Sequence, residues 1–236
     1  MPRFQVTTEE IIQTTRAVID VLKKLDLECC LIGSAACYAY GTSTRIPNDV
    51  DMVVLNSPWP QEELKRRVVA ADSRFYTIAS KDPFATYRVL FFRLTTSFYY
   101  HRSCKVDLLI PGVMNIPRVP SNRVSFSAIT HDDIHSNNNA SWSWPLMPFI
   151  PLLMLKLQGW TDHKNSPKSH MRPKQYVDIS DVLKLLELAR GRYSDQTLSK
   201  DESWLPESFV TAARDRVKLF IEEYPGSKED WAAVGF

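Results

Sequence analysis

Apolar residues recur at helical spacing near the start of the chain. Ile11, Ile12, Val18, Ile19, Leu22 and Leu25 follow Thr7-Thr8-Glu9-Glu10, where Thr7 and Glu10 have the spacing of a capping box. This predicts an amphipathic helix packed on a sheet. Glu28 to Ile32 reads as a short strand running into Gly33-Ser34, and Ala35 to Tyr40 as a small-residue helix ending near Gly41. The loop Thr42-Ser43-Thr44-Arg45-Ile46-Pro47 leads to Val50–Leu55, an almost unbroken apolar run that predicts a central strand buried on both faces. Ser57-Pro58-Trp59-Pro60 ends that strand. Gln61 to Ala71 reads as a surface helix, with Glu62, Glu63, Lys65, Arg66 and Arg67 outside and Leu64, Val68 and Val69 inside. Strands are expected at Phe75–Ala79, Tyr87–Leu94 and Cys104–Ile110, with a turn over Thr95–Ser103. Residues 114–144 are rich in turn formers, with one strand expected at Val124–Ile129. The pattern then becomes helical over Leu146–Trp160, Lys174–Ala189 and Pro206–Glu223, and Lys228–Val234 is a helical stretch in a tail without an obvious place.

The order strand, helix, strand, then several strands predicts an α+β fold, a mixed sheet followed by helices. The expected division is a sheet-bearing catalytic domain over residues 1–140 and a helical domain over 141–236.

Chemistry concentrates around the first strands. Gly33 lacks a Cβ, so the backbone there can approach a ligand closely. Ser34 offers a hydroxyl and an N–H at a helix start, a seat for phosphate that is compatible with simple helix capping. Asp49 and Asp51 are two apart on a strand, so both carboxylates point to one face. Like charges on an apolar strand repel, and a divalent cation preferring hard oxygen ligands resolves the conflict, most naturally Mg²⁺, with Mn²⁺ as the other candidate. Asp107, within the apolar run Val106-Asp107-Leu108-Leu109-Ile110, is a third candidate ligand. The plainer readings are a polar strand end facing solvent for the Asp pair and, for Asp107, a partly exposed strand residue paired with Lys105 or a neighbouring Arg.

Composition adds bounds. The 236 residues fit one large domain or two small ones, and 44% hydrophobic with 24% charged residues is ordinary for a globular chain. A net charge of +2 gives no global attraction to nucleic acid, which therefore stays possible but unfavoured as a partner. Cys29, Cys30, Cys37 and Cys104 lack zinc-ligand spacing and read as reduced, buried thiols. The first residues lack the apolar core of a signal peptide and no run is long enough to span a membrane. The expectation is a cytoplasmic protein, a nuclear one not being excluded, with no membrane partner.

The set Gly33, Ser34, Asp49, Asp51 and Asp107 resembles the nucleotidyltransferase superfamily with the DNA polymerase β-like fold. That family has a Gly-Ser or Gly-Gly turn, an Asp-x-Asp on the next strand and a third acid on a later strand. The resemblance implies a metal-dependent enzyme that moves a nucleoside monophosphate from a nucleoside triphosphate to an acceptor hydroxyl. In that reading Asp49, Asp51 and Asp107 are catalytic and hold the metal, while Gly33, Ser34, Arg45 and Lys156 bind the nucleotide.

The second half looks like the abortive-infection toxin type of these proteins. Its Leu-rich stretch Pro148-Phe149-Ile150-Pro151-Leu152-Leu153-Met154-Leu155-Lys156-Leu157 precedes a basic loop with Lys164, Arg172 and Lys174, then Asp178-Ile179-Ser180-Asp181-Val182. The resemblance turns Lys156 toward the site; a lysine snorkelling from an apolar helix is the alternative. Asp178 is expected to pair with Lys174, and Asp181 to orient a basic side chain. One departure is Pro47, which stands where that subgroup has Thr two residues before the first Asp. His131, His135, His163 and His170 read as solvated loop residues, and Trp142 and Trp144 as packing at a domain junction rather than a base-stacking platform. The other function classes are a non-catalytic member that binds a nucleotide or a protein partner, and a nucleic-acid-binding module whose acids are incidental.

Overall fold

The computed structural model of the chain describes residues 5–42, 45–94, 102–129 and 142–236. Helix α1, Thr8–Lys24, starts with the expected capping box: the Glu10 N–H donates to Thr7 Oγ1 at 3.3 Å and the Thr7 N–H donates to Glu10 Oε2 at 2.9 Å. Its buried stripe is Ile11, Val18, Val21 and Leu22, as the spacing requires. Glu10 also pairs with Arg102 at 2.6 Å, which ties the helix start to the strand that follows Arg102.

Strand β1 (Cys29–Ile32) runs straight into helix α2 (Gly33–Tyr40), and strand β2 is Asp49–Val54. Helix α3 (Gln61–Ala71) precedes strands β3 (Phe75–Ala79), β4 (Arg88–Arg93) and β5 (Ser103–Leu109). Strands β6 (Ser125–Ile129) and β7 (Trp142–Leu146) are followed by helices α4 (Phe149–Lys164), α5 (Gln175–Arg190), α6 (Leu198–Asp201), α7 (Glu207–Glu223) and α8 (Lys228–Ala233). The strands form one seven-stranded sheet in the order β3-β4-β5-β2-β1-β7-β6. The β2/β5 and β1/β7 pairs are parallel and the others antiparallel, so the sheet is mixed and the fold is α+β.

β2 is central, as its apolar run predicts. Met52, Val53 and Val54 are all wholly buried. Successive residues face opposite sides of a strand, so both faces are covered there. α1 lies against β2 and β5, while α2 packs on β1, β2, β6 and β7 and is covered in turn by α4 and α5.

Three details differ from the sequence reading. Trp142–Leu146 is a strand that starts in the stretch expected to be irregular and ends where a helix was expected to start. Pro145 disguises it, because proline lacks the N–H for a ladder; β7 is registered against β1 only at Leu146, just past the proline. Trp144 on this strand is buried, so it is core packing. The second detail is Lys65, expected outside on α3 but only 8% exposed. Its ammonium donates to Glu62 at 2.6 Å and to the Arg88 carbonyl at 2.6 Å, which lets the aliphatic stem stay buried. Third, α4 begins at Phe149 rather than Leu146, with Pro151 in its first turn, where no intrahelical N–H is lost. The tail is docked: Trp231 on α8 is wholly buried, with its ring 6.0 Å from Phe220 and 5.5 Å from Phe236.

The expected domain boundary near residue 140, the turn formers His131-Asp132-Asp133 and most of the Thr95–Ser103 turn lie outside the described residues. Residues 142–146, just beyond that boundary, belong to the sheet. All four cysteines are free thiols. Burial pushes Cys29, Cys37 and Cys104 each up to about 12, which leaves them inert as nucleophiles at neutral pH. Among the described residues no helix is long and apolar enough to cross a membrane.

Candidate functional site

The parallel pairing of β2 with β5 decides the geometry. Asp51 stands opposite Asp107 and Asp49 opposite Lys105, so these side chains share one face of the sheet. Asp49, Asp51 and Asp107 each bring a carboxylate oxygen within 4.8 Å of the others. Asp51 is the inner member. Burial first, then the charges of Asp49 and Asp107, push its carboxyl up to about 7, while Lys105 and Lys156 pull the other way. Three converging hard-oxygen donors with unbalanced charge suit a divalent cation such as Mg²⁺.

Gly33 meets this cluster from the neighbouring strand. Ile32 is registered with Asp51, and the chain turns at Gly33 with φ +64°. A Cβ at residue 33 would lie 2.2 Å from Asp51 Oδ2. Glycine is therefore required twice here, by the left-handed backbone and by the close carboxylate. Gly33→Ala is expected to cost about 1–3 kcal/mol and to displace Asp51. A thermal melt of the variant checks this, and an unchanged melting temperature would mean that neither the left-handed backbone nor the Asp51 carboxylate requires glycine there.

A second cluster lies behind the turn. Arg45 Nη2 donates to Ser34 Oγ and sits 3.4 Å from Asp181 Oδ2. Lys156 Nζ reaches Asp181 Oδ2 at 2.7 Å and Asp178 Oδ1 at 3.4 Å. His163 Nδ1 is 2.5 Å from Asp178 Oδ2. Asp181 thus bridges two cations, one from the loop before β2 and one from α4. Lys156 is only 8% exposed, so it does not snorkel. Burial opposes its charge, yet Cys37, Asp181 and Asp178 together hold its ammonium well above the usual lysine range.

The structure brings together most of what the sequence singled out: the three acids with Gly33 in one cluster, and Ser34, Arg45 and Lys156 in the other. Two placements differ from expectation. Asp178 is buried against Lys156 and His163 rather than paired with Lys174, because it starts α5 facing α4. His163 lies in the last turn of α4, not in a loop. Lys105 belongs to the acid cluster as well. Its ammonium contacts Asp107 and lies 3.8 Å from Asp49. Burial works against its charge, but Asp107, Asp49 and Asp51 raise its pKa. The signal was present: Lys105 and Asp107 are two apart on one strand.

A solved structure of an antigenic nucleotidyltransferase-like protein from Paracoccidioides brasiliensis matches the whole architecture. It aligns with a TM-score of 0.68 at 12% identity, over 98% of this chain and 95% of that one. This chain has the nucleotidyltransferase fold. The match to that fold runs through the helices as well as the sheet, since nearly all of both chains is covered. Two structures of the antibiotic-resistance factor ANT(2″)-Ia align far more loosely. The one in complex with adenylyl-2″-tobramycin has a TM-score of 0.38 at 10% identity, over 79% of this chain and 99% of that one. The solution structure has 0.36 at 10% identity, over 78% and 95%. Likeness at that level carries nothing about the site. No family model and no curated protein sequence matches the chain.

Proposed function

We propose that this protein transfers a nucleoside monophosphate from a nucleoside triphosphate to an acceptor hydroxyl, with divalent cations held by Asp49, Asp51 and Asp107. One observation carries the reading: three carboxylates converge on one face of β2 and β5, beside a Gly33 turn with no side chain. Bound Mg²⁺, or Mn²⁺ in its place, would supply Lewis-acid stabilisation of charge on the transferring phosphoryl group. Gly33 and the Ser34 N–H and hydroxyl would receive the terminal phosphates, with Arg45 as the nearest cation. Lys156 adds positive potential from behind the turn. Asp107, exposed to the extent of 36% of its side chain, would help take the proton of the acceptor hydroxyl.

The acceptor class is a small molecule, a protein side chain or an RNA end. Incubation with each α-labelled nucleoside triphosphate, Mg²⁺ and a cell extract tests the proposal and names the acceptor. Label entering an acceptor in the parent protein and absent with Asp51→Asn supports it.

A second reading rests on Lys105, whose ammonium already neutralises part of the acid cluster. On that reading the protein binds a nucleotide or partner without transferring anything, and the labelling experiment gives no labelled product. Lys105 also yields a prediction. With its charge removed, Lys105→Met is expected to bind Mg²⁺ about fivefold more tightly without nucleotide, in line with the ~1 kcal/mol of a solvent-screened ion pair. Isothermal titration measures this, and weaker or equal binding would show that Lys105 does not compete with the cation.

A further inference from the structure

Lys105 is the cation on the acid face of the sheet. It stands opposite Asp49 in register and two residues before Asp107 on the same strand. Its ammonium contacts Asp107 and lies 3.8 Å from Asp49, and among the described residues it pairs with no other acid. The side chain is 39% exposed. A lysine ammonium on a flexible four-carbon stem can leave such a position without moving the strand beneath it.

The other two cations near the Gly33 turn are held differently. Arg45 sits on Ser34 and Asp181, and Lys156 is buried between Asp181 and Asp178. Neither leans on Asp49, Asp51 or Asp107, so a divalent cation on those acids takes no partner from either. Lys105 leans on two of them. Three carboxylates against one ammonium leave the cleft negative, which favours entry of a divalent cation. With that cation on Asp49 and Asp107, the Lys105 ammonium loses its partners and faces a like charge. It then requires another anion. Strand β2 with its acids lies between β1, which leads into the Gly33 turn, and β5, which carries Lys105. A phosphate chain seated on the turn and reaching across the acids therefore meets Lys105 on the far side.

We infer that Lys105 is a phosphate-binding residue held in reserve, kept by Asp107 and Asp49 in the metal-free cleft and passed to the triphosphate once a divalent cation occupies those carboxylates. This rests on the proposed nucleotidyl-transfer reading and adds a ligand to its site. It also separates Lys105 from a simple competitor. Losing a competitor strengthens whatever arrives with the metal, whereas losing a phosphate ligand weakens the triphosphate.

The test uses inorganic tripolyphosphate, which has the phosphate chain of a nucleoside triphosphate and no base. It is titrated by calorimetry into the full chain with Mg²⁺ saturating, so that competition for the acids no longer contributes. Lys105→Met should bind it about tenfold more weakly than the parent, the loss of one charge-assisted hydrogen bond. A melting temperature equal to the parent's confirms the fold of the variant. A second measurement needs no variant. Acetylation of Lys105 in the parent by acetic anhydride, read by mass spectrometry, should rise when Mg²⁺ is added and fall again when tripolyphosphate follows. The inference is overturned if Lys105→Met binds tripolyphosphate as tightly as the parent, or if the labelling of Lys105 ignores either addition. A parent that binds neither Mg²⁺ nor tripolyphosphate overturns the proposed function as well, so the two failures read differently.

Discussion

Asp51→Asn is expected to abolish nucleotidyl transfer while raising the melting temperature of the metal-free protein. The two effects have one cause. Asp51 is pressed by burial and by Asp49 and Asp107, and its carboxyl is pushed up to about 7. The unfolded chain holds an aspartate near its ordinary value, about 3.9. The folded state therefore binds this proton more tightly than the unfolded state. This group's contribution to stability is greatest below about pH 4, and it is lost as the pH rises through about 7. At pH 8 without metal the carboxylate is charged and costs stability, on the order of 4 kcal/mol. The neutral isostere removes that cost. For a chain of this size the gain is about 8–16 °C. The same substitution takes one anionic ligand from the cation, so the Mg²⁺-nucleotide stabilisation of the parent should shrink or vanish. Melting curves at pH 5 and pH 8, with chelator or with Mg²⁺ and nucleotide, separate the outcomes. The parent should lose stability between pH 5 and pH 8 in chelator, and the variant should lose less. A variant that melts several degrees lower yet keeps the full Mg²⁺-nucleotide shift would show Asp51 to be a structural residue.

Asp181→Ala should be among the most damaging single changes to the fold. The Asp181 side chain is 3% exposed and sits between Lys156 at 2.7 Å and Arg45 at 3.4 Å. Removing it leaves Lys156, itself buried, with only the longer contact to Asp178. An uncompensated buried charge costs about 3–5 kcal/mol, and the melting temperature should fall by about 10 °C. Added salt should not rescue the variant, because buried pairs are poorly screened. Combining Asp181→Ala with Lys156→Met removes the stranded charge and should recover at least half of the loss. Arg45 loses its anchor as well, so the hydroxyl of Ser34 loses a fixed partner. The nucleotide response of the double variant should therefore stay weak even where stability returns. A drop below 2 °C for the single variant would contradict a buried ionic bridge.

Local pattern determined much of this protein. The Thr7–Glu10 capping box, the apolar stripe of α1, the bounds of α3 and β3, and the double-sided burial of β2 all follow from spacing, because periodicity and burial are local consequences of which face meets the core. The Asp49–Asp51 pair and the Gly33 turn were legible for the same reason, since a strand's period of two places both acids on one face. What the sequence could not decide needed partners distant along the chain. The parallel register of β2 with β5 sets Asp107 beside Asp51, and it also lays Lys105 across Asp49, a contact that no spacing within either strand reveals. β7 was hidden because Pro145 removes a donor, and only its neighbours β1 and β6 make it a strand. Asp178 faces His163 and Lys156 rather than Lys174 because α5 packs on α4, and a buried carboxylate takes the cations that share its interior rather than the one nearest in sequence. Asp181 shows the same division: the chain places an acid on α5, and only tertiary packing makes it the bridge between Arg45 and Lys156.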